Sequence, residues 1–217
     1  MTDLEHLAVL PAPGEECAQW SSYDRASQYD AENDVYANWG ANNDGPNFIR
    51  KEGDLAVMAE MEGPGCIWRV WSARAQGGRV KILLDGKEAP VVDLPFQNYF
   101  DGETPPFDYP MLSYNLAELG SRGQNLYYPI PYQKSCKILA EEGWGRYFQF
   151  VYTTFPEGTK VPTFTGEPSE ADRAALSKLN DLLANKLGTN PAGTRDGQET
   201  VTESFALRAG STEKLVL

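Results

Sequence analysis

The chain has 217 residues, enough for one generous domain or one and a half. Its 31 acidic and 19 basic side chains give a formal charge of −12, which argues against nucleic acid and anionic membrane surfaces, since both are bound through Lys and Arg. The 41% hydrophobic content supplies a core and excludes a disordered chain, while 20 Gly, 15 Pro and 12% aromatic residues favour short strands and turns over a helical bundle.

The first sixteen residues, MTDLEHLAVLPAPGEE, carry acids where an export signal needs Lys or Arg. No apolar run approaches the roughly 18 residues of a membrane span. A cytoplasmic location is expected, with residues 1–20 an N-terminal extension. Cys17, Cys66 and Cys136 make no CxxC pair and His6 is the single histidine, so no metal site, no cofactor and no Ser-His or Cys-His catalysis is expected. Free buried thiols are the simpler reading of the cysteines. Lys134 and Lys137 flank Cys136 and would lower its pKa if they faced it, but lysines on the solvent side of a strand explain them more simply.

Residues 21–47 are dense in Asn, Asp and Tyr and read as irregular. Strand-like segments then follow from Leu55 to Thr154. LAVMAEM (55–61) ends at the turn EGPG (62–65), which is turn chemistry and not a phosphate loop, because Pro64 lacks a backbone donor and no Lys-Ser/Thr follows. CIWRVWSAR (66–74) comes next, with Trp68 and Trp71 expected to fill the core. VKILLDGKEAPVVDL (80–94) reads as two strands around Asp85-Gly86. After a Pro-rich aromatic loop (95–110) come YYPIPY (127–132), SCKILAE (135–141) and RYFQFVYTTF (146–155). Val80, Ile82 and Leu84 alternate with polar positions, as do Phe148 and Phe150 around Gln149, which is the pattern of a two-faced antiparallel sheet. About seven strands with long loops predict an all-β, jelly-roll β-sandwich over residues 21–165.

One helix is predicted over 168–188. Ser169 and Asp172 have capping-box spacing, Gly188 closes it, and Leu176, Leu179 and Leu183 share a face that needs cover. Residues 189–200 read as a linker. FALRAGSTEKLVL (205–217) can be laid over FIRKEGDLAVMAE (48–60), matching Phe205 to Phe48, Arg208 to Lys51, Gly210 to Gly53 and Leu215 to Met58. Residues 201–217 are therefore expected to begin a second jelly roll, with a first strand in need of a partner.

SSYDR (21–25), NND (42–44), MEGPGCIWRVW (61–71), the VKILLDGKEAP hairpin, YYPIPYQKSCKI (127–138) and RYFQFVYTTFPEGTKVPTF (146–164) occur in that order. Together they resemble the family known as domain of unknown function 2961, now glycoside hydrolase family 172, over about residues 18–217. One departure is the segment AENDVYANWGA (31–41), inserted where the family has a short Gly-rich step. The resemblance implies two tandem jelly rolls, assembly into homo-trimers or hexamers, and action on α-D-fructofuranosides or α-D-arabinofuranosides by a retaining double displacement. It also implies that the two catalytic glutamates lie in the second jelly roll, in stretches resembling GEGDE and GTEDY. Neither stretch occurs in this chain, so the catalytic residues are unknown here and the chain alone is expected to be inactive, its second half lying in the same or another chain.

A furanose needs fixed donors and acceptors for its hydroxyls and an aromatic ring against its C–H face. Tyr23, Asp24, Arg25, Trp39, Asn42, Asn43 and Asp44 supply those types within one loop region and are the candidate substrate-binding residues. The alternative reading makes Asp24 a partner of Arg25 or a loop cap, SSYDR a structural corner and Trp39 a core anchor. The insertion is expected to project over the mouth of such a site, with Tyr36 and Trp39 stacking on a second ring and Glu32 and Asp34 repelling anions. The rival readings are a non-catalytic sugar-binding sandwich and a capsid-like assembly module without a ligand.

Overall fold

The computed structural model describes residues 9–120, 122–189, 193, 196–199, 201, 202, 204, 206–212 and 214. The chain divides into two units, Met1–Leu187 and Gly188–Leu217. In the first, β1 (Glu16–Ser21), β2 (Gln28–Asp30), β3 (Val35–Ala37), β4 (Arg50–Glu52), β5 (Leu55–Glu62), β6 (Gly65–Ala75) and β7 (Arg79–Leu84) lead to β8 (Val92–Pro95). Next come β9 (Ser113–Asn115), β10 (Gln124–Leu126), β11 (Ile130–Tyr132), β12 (Ser135–Ala140), β13 (Gly145–Thr154) and the helix α1 (Glu170–Asn185). One sheet runs β1-β13-β6-β10-β9, with β11 also on β6, and the other runs β4-β5-β12-β7-β8. The pairings are antiparallel. This is a β-sandwich with one helix.

The seven expected strand segments all carry strand, and the alternation read from them points inward as predicted. Val80, Ile82 and Leu84 from one sheet and Phe148 and Phe150 from the other are buried in a single core with Ile67, Val70 and Ile138. Each such side chain contributes about 1.5–3 kcal/mol on burial. The loop read as Pro-rich and aromatic folds into a 3₁₀ turn, Phe96–Phe100. Its Phe96, Tyr99 and Phe100 are buried in edge-on or tilted contact with one another and with Trp144 and Phe107. The strands missed by sequence are mostly three-residue pieces, too short to show a period. β1, within the segment read as an extension, is longer, and it pairs along its whole length with β13.

The helix is held at its start by the predicted capping box, in which the Ser169 hydroxyl accepts the Asp172 N–H and the Asp172 carboxylate accepts the Ser169 N–H. It ends at Asn185, before Gly188. Leu176 and Leu179 are buried in the common core, Leu183 packs against it, and Asn180 accepts the Met111 N–H at 2.9 Å. The helix face that needs cover is thus covered by its own sandwich. On the opposite sheet Arg50 and Lys137 each pair with Glu52 and Glu60. These exposed ion pairs add little stability, but they put charge on edge strand β4, where it discourages pairing with another chain. Lys137 thus faces solvent, and burial drives the Cys136 thiol well above its ordinary pKa. Cys66 is likewise pushed up to about 12 by burial, whereas Cys17 is exposed, contrary to the expectation of three buried thiols.

None of the described residues of 188–217 is in a helix or strand, and 188, 196–197 and 209–210 lie in turns. Gly210 and its aligned counterpart Gly53 both have positive φ, +80° and +59°. His6, Phe205 and Leu215–Leu217, including the residues on which the expected strand rests, lie outside the described residues.

Asp85 and Gly86 both adopt positive φ and make the predicted tight turn, closed by the Lys87 N–H on the Leu84 carbonyl. Regular pairing resumes only at Val91 and Val92, after an excursion through residues 88–90. The Asp85 carboxylate also accepts the N–H groups of Gln133, Lys134 and Ser135 and the Thr163 hydroxyl, so one side chain joins three segments. Burial raises its pKa, but these four hydrogen bonds outweigh burial and hold it below the usual aspartate value. A depressed folded pKa means the stabilisation is complete above the unfolded value of about 3.9 and fades as pH falls through the folded one. Asp85→Asn should therefore cost about 1–3 kcal/mol in urea unfolding at pH 7, with the gap to wild type narrowing below about pH 4. A gap independent of pH would contradict this assignment.

Candidate functional site

The segment after β1 is tied to the sheet by continuing its pairing with β13. The Ser22 N–H donates to the Phe148 carbonyl at 3.2 Å, and the buried Ser22 hydroxyl accepts the Phe148 N–H at 3.3 Å. Beyond it the chain turns away. Arg25 folds back under this corner, donating to the Ser21 carbonyl at 2.9 Å and the Tyr23 carbonyl at 3.3 Å, with its guanidinium 4.3 Å from the Tyr23 ring centroid. Desolvation lowers its pKa, with the Tyr23 phenol acting in the opposite sense. Asp24 does not pair with Arg25. Its Oδ1 accepts the Ala26 N–H at 3.1 Å, a local aspartate turn, and its Oδ2 is buried without a hydrogen-bond partner.

The inserted segment, 31–41, supplies the turn and β3 of the hairpin β2–β3 and the start of the loop after it. Asp30 accepts the Glu32 and Asn33 N–H groups and the Asn33 side-chain amide, and these bonds, with the side-chain amide foremost, lower its pKa. Tyr29 packs on Tyr36 with centroids 5.0 Å apart and donates its hydroxyl to Asp34. Glu32 and Asp34 therefore belong to the hairpin tip, not to the depression described below.

The loop then returns to β13 through Gly45. A Cβ at Gly45 would lie 2.8 Å from Arg146 Nε, and its carbonyl accepts the Tyr147 N–H at 2.9 Å. Tyr147 itself has φ +62°, a region bulky residues avoid, and it drops out of the β13–β6 ladder between Arg146 and Phe148.

These contacts enclose a depression of about 790 Å³ at the end of the six-stranded sheet. The corner supplies Ser21, Ser22, Tyr23, Asp24 and Ser27, and the insertion and its loop supply Tyr36, Trp39, Gly40, Ala41, Asn42 and Asp44. The sheet supplies Trp71, Tyr147, Phe148 and Gln149. Tyr23, Tyr36 and Trp39 are 54%, 63% and 67% exposed, so the lining is aromatic and open. A smaller hollow of about 370 Å³ between α1 and the sandwich is lined mostly by prolines and apolar groups, and of its two carboxylates, Glu167 and Asp172, the second is engaged in the capping box. The larger depression is where polar chemistry converges.

A family model described as GH172 first beta-sandwich domain matches residues 13–172, more than two thirds of the chain. The chain belongs to glycoside hydrolase family 172. No curated protein matches it. The matched stretch runs from just before β1 to the first turn of α1, so it takes in the whole sandwich and every residue lining the larger depression. Among the described residues no helix is long and apolar enough to cross a membrane.

Of the candidate residues, this family 172 domain brings Tyr23, Asp24, Trp39, Asn42 and Asp44 to one depression. Arg25 is beneath the corner it braces, and Asn43 turns into its own loop, where its carbonyl accepts the Asn47 amide. Trp71, Tyr147 and Gln149 were missed as site residues. Trp68 and Trp71 were expected in the core, yet both are only half-buried. The reason is a bulge: Arg69 pairs with Val151 and Ile67 with Tyr152, so Trp68 is an extra residue and the inward phase slips. Trp68 donates to the Thr153 hydroxyl instead.

The backbone at Tyr147 stores strain of about 1–3 kcal/mol. Glycine relieves it and alanine does not. Tyr147→Gly should therefore be more stable than Tyr147→Ala by about 1 kcal/mol in urea unfolding, the reverse of their ordinary order in a strand. A more stable alanine variant would show that Tyr147 is not held in the left-handed region.

Proposed function

We propose that the depression holds a furanose ring, and that this domain is the sugar-binding first sandwich of a retaining glycosidase acting on α-D-fructofuranosides or α-D-arabinofuranosides. The observation that carries this is a hollow of about 790 Å³ that gathers the polar side chains of Asp24, Asn42, Asp44 and Gln149 with the exposed rings of Tyr23, Tyr36 and Trp39. Sugar hydroxyls need fixed donors and acceptors, and the Asp24 carboxylate, held at Oδ1 by the Ala26 N–H, is such an acceptor. Asn42, Asp44 and Gln149 offer further donors and acceptors, and Trp39 and Tyr36 offer flat faces for the C–H side of a ring. The family assignment supports the same chemistry.

A retaining glycosidase needs two carboxyls about 5–5.5 Å apart, one to attack and one to protonate the leaving oxygen. Asp24 is held by a backbone N–H at a loop corner, which suits fixing a hydroxyl. The attacking and protonating glutamates come, in this proposal, from a second sandwich, in stretches absent from these 217 residues. That sandwich and neighbouring copies in a trimer or hexamer would close the open aromatic rim and exclude water.

The 217-residue chain should bind methyl α-D-arabinofuranoside but not release nitrophenol from nitrophenyl α-D-arabinofuranoside. In the complete two-sandwich enzyme, Asp24→Asn should lower kcat/KM about ten- to hundredfold, the loss expected for hydrogen bonds to a charged group. Turnover by the chain alone that vanishes with one Asp or Glu change would contradict the proposal, as would an unchanged kcat/KM in Asp24→Asn.

A further inference from the structure

The depression does not end at Gln149. Across the six-stranded sheet, Ser21 pairs with Gln149, Gln149 with Trp71, Trp71 with Asn125, and Asn125 with Tyr114. Directly paired residues point to the same face, so these five side chains form one row on the outer face. Ser21, Gln149 and Trp71 line the depression, and Asn125 and Tyr114 carry the row beyond it. From Gln149 to Tyr114 it crosses three strand spacings, about 14 Å, which is longer than one sugar ring.

Arg69, two residues before Trp71 in the same continuous register, shares this face. Arg69 donates to Gln149 Oε1 at 3.3 Å and to Asn125 Oδ1 at 3.1 Å, and its guanidinium lies 5.7 Å from the Tyr127 ring centroid. Tyr127 in turn stacks on Tyr114 with centroids 6.4 Å apart. Arginine only donates, so it fixes both amides with their oxygens inward. Their nitrogens belong to residues on either side of Trp71 in the row and make no hydrogen bond among the described residues. Neither nitrogen is among the buried unpaired atoms of the described residues, so both keep access to solvent. Asn125 as a whole is only 7% exposed, a polar side chain held in place and not a mobile surface group.

Such a row offers amide donors, an indole and two phenols in fixed positions, without a carboxylate among them. It suits a chain of hydroxyl groups and sugar faces. Because the row starts from a depression bearing Asp24 and Asp44, an anionic chain is disfavoured there.

We infer that the row Trp71–Asn125–Tyr114 is a set of distal subsites for a neutral furanoside oligosaccharide whose end ring sits in the depression. This inference rests on the furanose reading of the depression and adds chain-length selectivity to it.

Calorimetric titration of the 217-residue chain with methyl α-D-arabinofuranoside and with an α-D-arabinofuranosyl tetrasaccharide tests it. The tetrasaccharide should bind at least about tenfold tighter. Asn125→Asp keeps an acceptor for Arg69 and removes the outward donor, and Tyr114→Leu removes the last phenol. Each should lose most of that tenfold gain while leaving the methyl glycoside unchanged, whereas Asp24→Asn should weaken both ligands. Equal affinities of the two ligands for wild type, or variants that weaken both ligands alike, would overturn the subsites and leave the depression standing. No binding of either ligand would overturn both readings. A concentration-dependent mass in light scattering that Tyr114→Leu abolishes would make the face a contact between copies and overturn the subsites.

Discussion

Strand β13 is the constraint on which the rest depends. It lies between β1 and β6, so it holds the edge of the six-stranded sheet to its centre. Its inward residues, Phe148 and Phe150, anchor the core, and its outward Gln149 faces the depression. At Tyr147 the backbone turns left-handed and leaves the ladder, which frees the Tyr147 N–H to reach the Gly45 carbonyl. One residue earlier Arg146 presses on Gly45, and one residue later Phe148 binds Ser22. Both polar loops of the depression are therefore fastened to three consecutive residues of one strand. The strain at Tyr147 is affordable because its neighbours on either side are fixed by the core and by the ladder.

That arrangement separates support from chemistry. The core and the Asp85 staple are built from groups whose hydrogen bonds are complete or whose surfaces are buried. The depression is the opposite, with exposed aromatics beside the polar side chains of Asn42, Asp44 and Gln149. Retaining glycosidases divide their work between groups that bond to the reacting carbon and its leaving oxygen and groups that hold the remaining hydroxyls. In the reading proposed above, the side chains gathered here are of the second kind.

Much of the sandwich was legible because burial imposes a period. Val80, Ile82, Leu84, Phe148 and Phe150 alternate and all point inward. The helix start was legible because Ser169 and Asp172 can each satisfy the other's N–H only at that spacing. The bulge at Trp68 was not legible, since inserting one residue reverses the phase without changing composition, and it moved two tryptophans out of the expected core. At the site, residue type was informative but orientation was not. Asn42 and Asp44 face the depression while Asn43 between them turns away, and Arg25 braces the corner that Tyr23 and Asp24 expose. Gln149, Trp71 and Asn125 join the same face only through strand pairings made by residues far apart in the chain, which a local reading does not contain. The ordered motifs from SSYDR to RYFQFVY carried the family where local physics could not.

The central claim is that the loops fastened to β13, and not the hollow beside the helix, take the ligand. Hydrogen–deuterium exchange of the chain with and without a saturating α-D-arabinofuranosyl oligosaccharide tests this directly, because backbone protection reports where the ligand rests. The account predicts slower exchange at residues 21–27, 36–45 and 147–149, with β5 and β12 unchanged. Protection confined to residues 162–179, or none at all under saturation, would contradict it.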